Sequence, residues 1–213
     1  MFLKKAAALL LSAITASCIV PDSLQKKGAH VTMHADPDFT EDERAYIEEA
    51  AEMWSIQTNG QATMVIVYDL DQAVHVLAPK IERAASDDPE VMEEDCETER
   101  ESGEEVAEGD VCRPSLLGFV SPSGGMRNPW RMPYRMVLIP DRYDSHERGV
   151  SVTLHEIGHV FGVPHHESSA SVMFKYQLDV EKTCLRQPDL QSFCNINVCD
   201  GRDMFPCETN EDF

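Results

Sequence analysis

The chain has 213 residues, and its 18 Lys and Arg against 38 Asp and Glu give a formal charge of −20. That balance excludes binding nucleic acid through backbone phosphates, and the length suits one domain with a proper core rather than two. The chain has seven cysteines; setting Cys18 aside leaves Cys96, Cys112, Cys184, Cys194, Cys199 and Cys207, an even set that reads as three disulfides of an oxidising compartment. Proximity favours Cys96 with Cys112 and pairing among the other four. A structural zinc knuckle is disfavoured, because the C-terminal cysteines contain no Cys-x-x-Cys pair.

The first residues read as an export signal. Lys4 and Lys5 supply a positive start, Ala6 to Ile14 form an uncharged apolar run too short for a permanent span, and Thr15-Ala16-Ser17 are a small-residue approach to Cys18. Small residues leading into a cysteine resemble the lipobox of bacterial lipoproteins, which implies cleavage after residue 17 and a lipid on Cys18. Thr15 stands where that box has an aliphatic residue, so ordinary cleavage near Ser17 stays open. The expected location is outside the cytoplasm, either lipid-anchored to the cell envelope or secreted, with membrane contact only through that anchor.

After a polar tether at 19–28, Ala29, Val31 and Met33 alternate with His30, Thr32 and His34, which predicts a strand. Thr40 followed by Glu43 makes a capping box, and Ile47, Ala50, Ala51 and Trp54 continue at helical spacing, predicting a helix over 41–57 with Trp54 as core. Asn59-Gly60 breaks it, and 62–70 is a β-rich apolar run. Between Asp87 and Asp110 lie 13 acidic residues against a single arginine. This reads as an inserted solvated loop (86–111) stapled by Cys96 and Cys112, since such composition rarely orders itself. Calcium is conceivable for so many carboxylates, but the alternating Asp/Asn and Gly of a calcium loop are missing. Residues 116–120 and 135–139 are the next strand candidates.

Residues 155–165 read HEIGHVFGVPH. On a helix, His155 and His159 stand one turn apart on one face, close enough to share a metal ion. Glu156 projects beside them, within reach of a water on that ion without being a ligand. Gly162 permits a left-handed turn that ends the helix, and Pro164 keeps it from resuming, so His165 can return as a third ligand. Three neutral imidazoles leave zinc one open position, the mark of a catalytic site. Water held there becomes acidic enough for Glu156 to take its proton and later deliver it to a leaving amine, which makes peptide hydrolysis the natural reaction. His166 is the competing third ligand; the remaining histidines, His30, His34, His75 and His146, lack ligand spacing.

These residues match the metzincin signature, His-Glu-x-x-His-x-x-Gly-x-x-His followed by a turn containing Met, with Ser171-Val172-Met173 as that turn. The separation of Met173 from His165 resembles the matrixins. The resemblance implies His165 rather than His166 as ligand, and Met173 as a hydrophobic floor beneath the metal. Tyr176 stands three residues after Met173, where metzincins with a tyrosine ligand have it two after, and it reads as a pocket wall. The resemblance also implies an α+β zincin-like domain over 29–213: a twisted mixed sheet, a backing helix near 41–57, an active-site helix near 147–162 and a disulfide-tied C-terminal helix near 187–195. Strand 116–120 would be the edge along which a peptide lies antiparallel. The short tether leaves no room for an inhibitory prodomain. The expected function is that of a monomeric zinc endopeptidase acting on peptides or proteins. A zinc-bearing surface binding protein is the alternative, against which Glu156 counts, and a zinc hydrolase of small substrates remains open.

Overall fold

The computed structural model describes residues 29–68, 79–88, 91, 117–122, 134–175 and 181–207. The export signal, Cys18, the tether, His75, Cys96, Cys112 and Tyr176 lie outside them. Strand β1 (Ala29–Ala35) buries Ala29, Met33 and Ala35, as its alternation requires. Helix α1 (Glu41–Gln57) starts on the expected capping box: Glu43 N–H donates to Thr40 Oγ1 at 3.3 Å, and Thr40 N–H donates to Glu43 Oε2 at 2.8 Å. Three acidic residues in its first turn suit the positive end of the helix dipole. The apolar stripe Tyr46, Ile47, Ala50, Ala51 and Trp54 is buried, and Trp54 is core with its indole N–H on the carbonyl of Leu154 at 3.0 Å.

Asn59 and Gly60, both at positive φ, turn the chain into β2 (Ala62–Val67), which is shorter than the predicted run. Strand β3 (Lys80–Arg83) follows, then β4 (Gly118–Pro122) and β5 (Tyr134–Leu138). The sheet order is β2-β1-β3-β5-β4, parallel except for the β4–β5 pair. The antiparallel β4 therefore forms one edge, where Pro122 at its end is tolerated. A 3₁₀ turn (Pro140–Arg142) leads to helix α2 (His146–Val160), capped by Ser145 Oγ accepting from Arg148 N–H at 3.0 Å. Helix α3 (Gln187–Ile196) closes the fold. Both helices agree with expectation to within two residues at either end.

Strand β3 is the element the sequence reading missed, and Ile81 is its one fully buried side chain. The acidic insertion also departs from a purely solvated loop at one point. Val91 is buried in a small cluster with Ala84, Val137 and Ile139, an apolar side chain gaining cover that the surrounding carboxylates do not need.

The C-terminal segment is tied down by disulfides Cys184–Cys207 and Cys194–Cys199. Buried Gln57 adds a polar tie: its amide donates to the carbonyls of Leu185 (3.1 Å) and Phe205 (2.9 Å) and accepts from Leu185 N–H (2.7 Å). Leaving the buried Leu185 N–H unpaired would cost about 1–3 kcal/mol.

Candidate active site

Helix α2 brings His155, Glu156 and His159 to the middle of the molecule, with His155 and Glu156 almost fully buried. Its last turn ends at Phe161, and Gly162, at φ 84°, takes the left-handed conformation that turns the chain back. The reversal carries His165 to the other two imidazoles. Nε2 of His159 lies 3.1 Å from Nε2 of His155 and 3.1 Å from Nε2 of His165.

Proton positions follow from the far side of each ring. His155 Nδ1 faces the carbonyl of Val172 at 2.8 Å and His159 Nδ1 the carbonyl of Val163 at 2.9 Å. A carbonyl only accepts, so Nδ1 holds the proton and Nε2 presents a lone pair. Lone pairs converging at this separation repel unless a cation lies between them. Two nitrogens bound tetrahedrally at ~2.0–2.1 Å from zinc stand about 3.3 Å apart, so the donor set fits a zinc ion closely. Burial, then the adjacent His159, pushes the pKa of His155 down to about 3. Burial pushes His159 down to about 4. Both rings are thus neutral near pH 7, the form that ligates.

Glu156 Oε2 is buried without a hydrogen-bond partner among the described residues. Burial raises the carboxyl pKa to about 8, a rise that a dication in the triad would oppose. Edge strand β4 passes against it: a Cβ on Gly118 would stand 3.2 Å from Glu156 Cγ and 3.0 Å from the carbonyl oxygen of Val137. The missing side chain lets the sheet edge approach the carboxylate.

Of the two candidates for a third ligand, the structure brings His165 to the other imidazoles. His166 Nδ1 accepts from Ser168 N–H at 3.0 Å, and the backbone N–H of His166 donates to the carbonyl of Met173 at 2.7 Å. His165 joins the cluster that could hold a metal, and His166 does not. Met173 is fully buried against Gly158 of α2, where a Cβ would meet its Sδ at 2.3 Å, and it underlies the triad-bearing helix. His30 bonds Thr63 and His146 bonds Glu49, so neither joins the triad.

Asp189 is the functional residue that sequence reasoning missed. It sits fully buried in the first turn of α3. Its Oδ1 accepts from Ser171 Oγ–H and from Met173 N–H (3.3 Å), and its Oδ2 from Val172 N–H (3.2 Å) and Arg186 N–H (2.8 Å). One carboxylate thus grips the turn 171–173, and the carbonyl of that turn's Val172 orients His155. Its only sequence signal was an acidic residue at a helix N-terminus, which ordinarily reads as a cap.

Three histidines converging on one point beside a buried carboxylate, carried by a helix under a mixed five-stranded sheet, define a zincin-like metal centre. A profile of the matrixin family matches residues 14–196, and the chain belongs to that family. Among solved structures it is similar to metalloproteinase-II from Bacteroides fragilis, with 11% identity, a TM-score of 0.46, and coverage of 81% of this chain and 54% of that one. The chain thus spans about half the length of that protein. Archaemetzincin from Methanopyrus kandleri is also similar, with 14% identity, a TM-score of 0.45, and coverage of 83% of this chain and 98% of that one. No curated protein matches the chain.

Proposed function

We propose that the chain is a zinc-dependent endopeptidase in which His155, His159 and His165 hold the metal and Glu156 is the general base. The observation that carries this reading is the Glu156 oxygen without a partner among the described residues, beside three imidazoles whose Nε2 atoms converge. A buried carboxylate oxygen left without a donor calls for one, and beside the triad a metal-held water would supply it. When bound, zinc supplies Lewis acidity toward a substrate carbonyl and toward water. Glu156 takes a proton from the attacking water at a carboxylate oxygen and returns it to the leaving amine nitrogen. The Nδ1 protons of His155 and His159, held by Val172 and Val163, keep both rings in the ligating tautomer through the cycle. Strand β4, the sheet edge beside Glu156, offers backbone groups to an extended peptide laid antiparallel along it, a mode that demands little of side chains.

The location is outside the cytoplasm, supported by the apparent signal ahead of Cys18 and by the two C-terminal disulfides. No helix among the described residues is long and apolar enough to cross a membrane. Attachment, where it occurs, is through lipid on Cys18.

Glu156→Gln tests the reading, because it keeps the size of the side chain and removes the base. Peptide cleavage should fall by at least ~10²- to 10⁴-fold with zinc content unchanged. Undiminished cleavage by the variant sinks the role of Glu156. A parent protein that holds zinc and cleaves nothing in a mixed peptide library would instead be a binding protein.

A further inference from the structure

Lys182 has no assigned role, and its surroundings are unusual for a lysine. Its backbone N–H donates to Ser151 Oγ at 3.0 Å, and Ser151 lies one helical turn before His155 on the same face of α2. Its ammonium lies 5.4 Å from the ring centroid of Phe174, the residue directly after Met173. The residue therefore lies between the Met-containing turn and the helix that carries His155. It is half-buried, and no carboxylate among the described residues forms an ion pair with it. Asp189, the acidic group whose field it feels, has both oxygens committed to Ser171 and to three backbone amides. Glu181, its chain neighbour, accepts from Ser145 Oγ–H at 2.7 Å.

A partly desolvated ammonium that, among the described residues, lies against an aromatic face and pairs with no carboxylate is costly, even in a protein of charge −20. Burial accordingly pulls its pKa below the usual lysine value. The cost is recovered when an anion of matching reach arrives.

We infer that Lys182 is a specificity-determining residue that receives a carboxylate of the substrate next to the scissile bond, either an acidic side chain or the peptide's own C-terminus. This deepens the peptidase reading and rests on it for the path of the peptide. A substrate carboxylate completes an ion pair beside Phe174, and the site discriminates against a neutral amide of the same shape, which leaves the ammonium unpaired.

The test uses zinc-loaded Glu156→Gln protein and labelled octapeptides of neutral sequence, titrated by fluorescence anisotropy. In one set, all C-terminally amidated, a single Glu or its matched Gln is walked through each position. A second peptide is wholly neutral and is compared with its C-terminus free and amidated. At one position Glu should bind about tenfold tighter than Gln. Lys182→Met should bring that ratio to near one, and Lys182→Arg should preserve it. If only the free C-terminus confers the gain, the terminal carboxylate is the ligand. The inference fails if no carboxylate peptide outbinds its neutral match, or if Lys182→Met keeps the ratio. Because the readout is a ratio of affinities, it separates the two readings: a parent that cleaves none of these peptides while showing the Lys182-dependent ratio removes the peptidase and leaves the carboxylate site. Cleavage by the parent without any carboxylate preference does the reverse.

Discussion

The substitution Asp189→Asn isolates the grip on the Met-containing turn without changing side-chain size. The native carboxylate accepts four hydrogen bonds, two at each oxygen. An amide can accept at only one of those atoms. Its least costly placement puts the NH₂ on the side of Ser171, whose hydroxyl can rotate to accept, and Met173 N–H keeps its 2.9 Å bond to Ser171 Oγ while losing the longer one to Asp189. The three remaining bonds fall from charge-assisted to neutral strength, ~1 kcal/mol apiece. Relief from burying a charge offsets part of this, leaving a net loss of about 2 kcal/mol. The carbonyl of Val172 moves with the turn and loosens His155, so zinc affinity should fall by about 10- to 100-fold, as for other partners behind a metal ligand. Denaturant melts of metal-free protein measure the first effect and zinc competition against a chelator the second. An Asn variant within about 0.5 kcal/mol of the parent, with zinc affinity intact, would refute the chain of contacts from α3 to His155.

Other outcomes follow from the same geometry. The double variant His155→Ala with His159→Ala should lose the single zinc that elemental analysis finds in the parent; stoichiometric zinc remaining would place the site elsewhere. In metal-free protein, the folded pKa values of His155 and His159 (about 3 and 4) lie below their ordinary 6.5, so the unfolded chain binds more protons and stability is lost as pH falls from 6.5 toward 3. Glu156 shifts the other way, from 4.5 to about 8, so its contribution is lost as pH rises through that window. Two histidines outweigh one glutamate up to pH 6.5, and above it only the glutamate acts. The contribution of this cluster should therefore peak near pH 6.5, and Glu156→Gln should abolish the decline between 6.5 and 8 in thermal melts made with chelator; a decline that persists in the variant rejects the assignment. Thiol titration of denatured protein with Cys18 replaced should find no free cysteine, and several free thiols would contradict a three-disulfide chain.

What the sequence made legible was local. Thr40 with Glu43 marked the start of α1, and the fixed spacing of His155, His159, Gly162 and His165 marked the metal cluster, because each signal lies within a few turns of chain. Strand β3 was not legible. Its KIER carries one apolar residue among three charged ones, and its strand geometry comes from lying between β1 and β5. Gln57 and Asp189 were missed for a related reason. A buried polar residue announces itself only through its partners, and those of Gln57 lie at 185, 205 and 207. Between His165 and His166 the family spacing favoured His165, and it is the His165 ring that the structure brings to the other two.

The grip of Asp189 has a consequence for the order in which the site is made. A ribosome delivers the three histidines first, then the turn at 171–173, then Cys184, Leu185 and Asp189, and only afterwards Phe205 and Cys207, the later partners of Gln57 and of the Cys184 bridge. The centre therefore cannot reach its working geometry before Asp189 has been made, some two dozen residues after the third histidine. A chain cut short between the third histidine and Asp189 would carry every ligand and still lack the contact that aims the first of them.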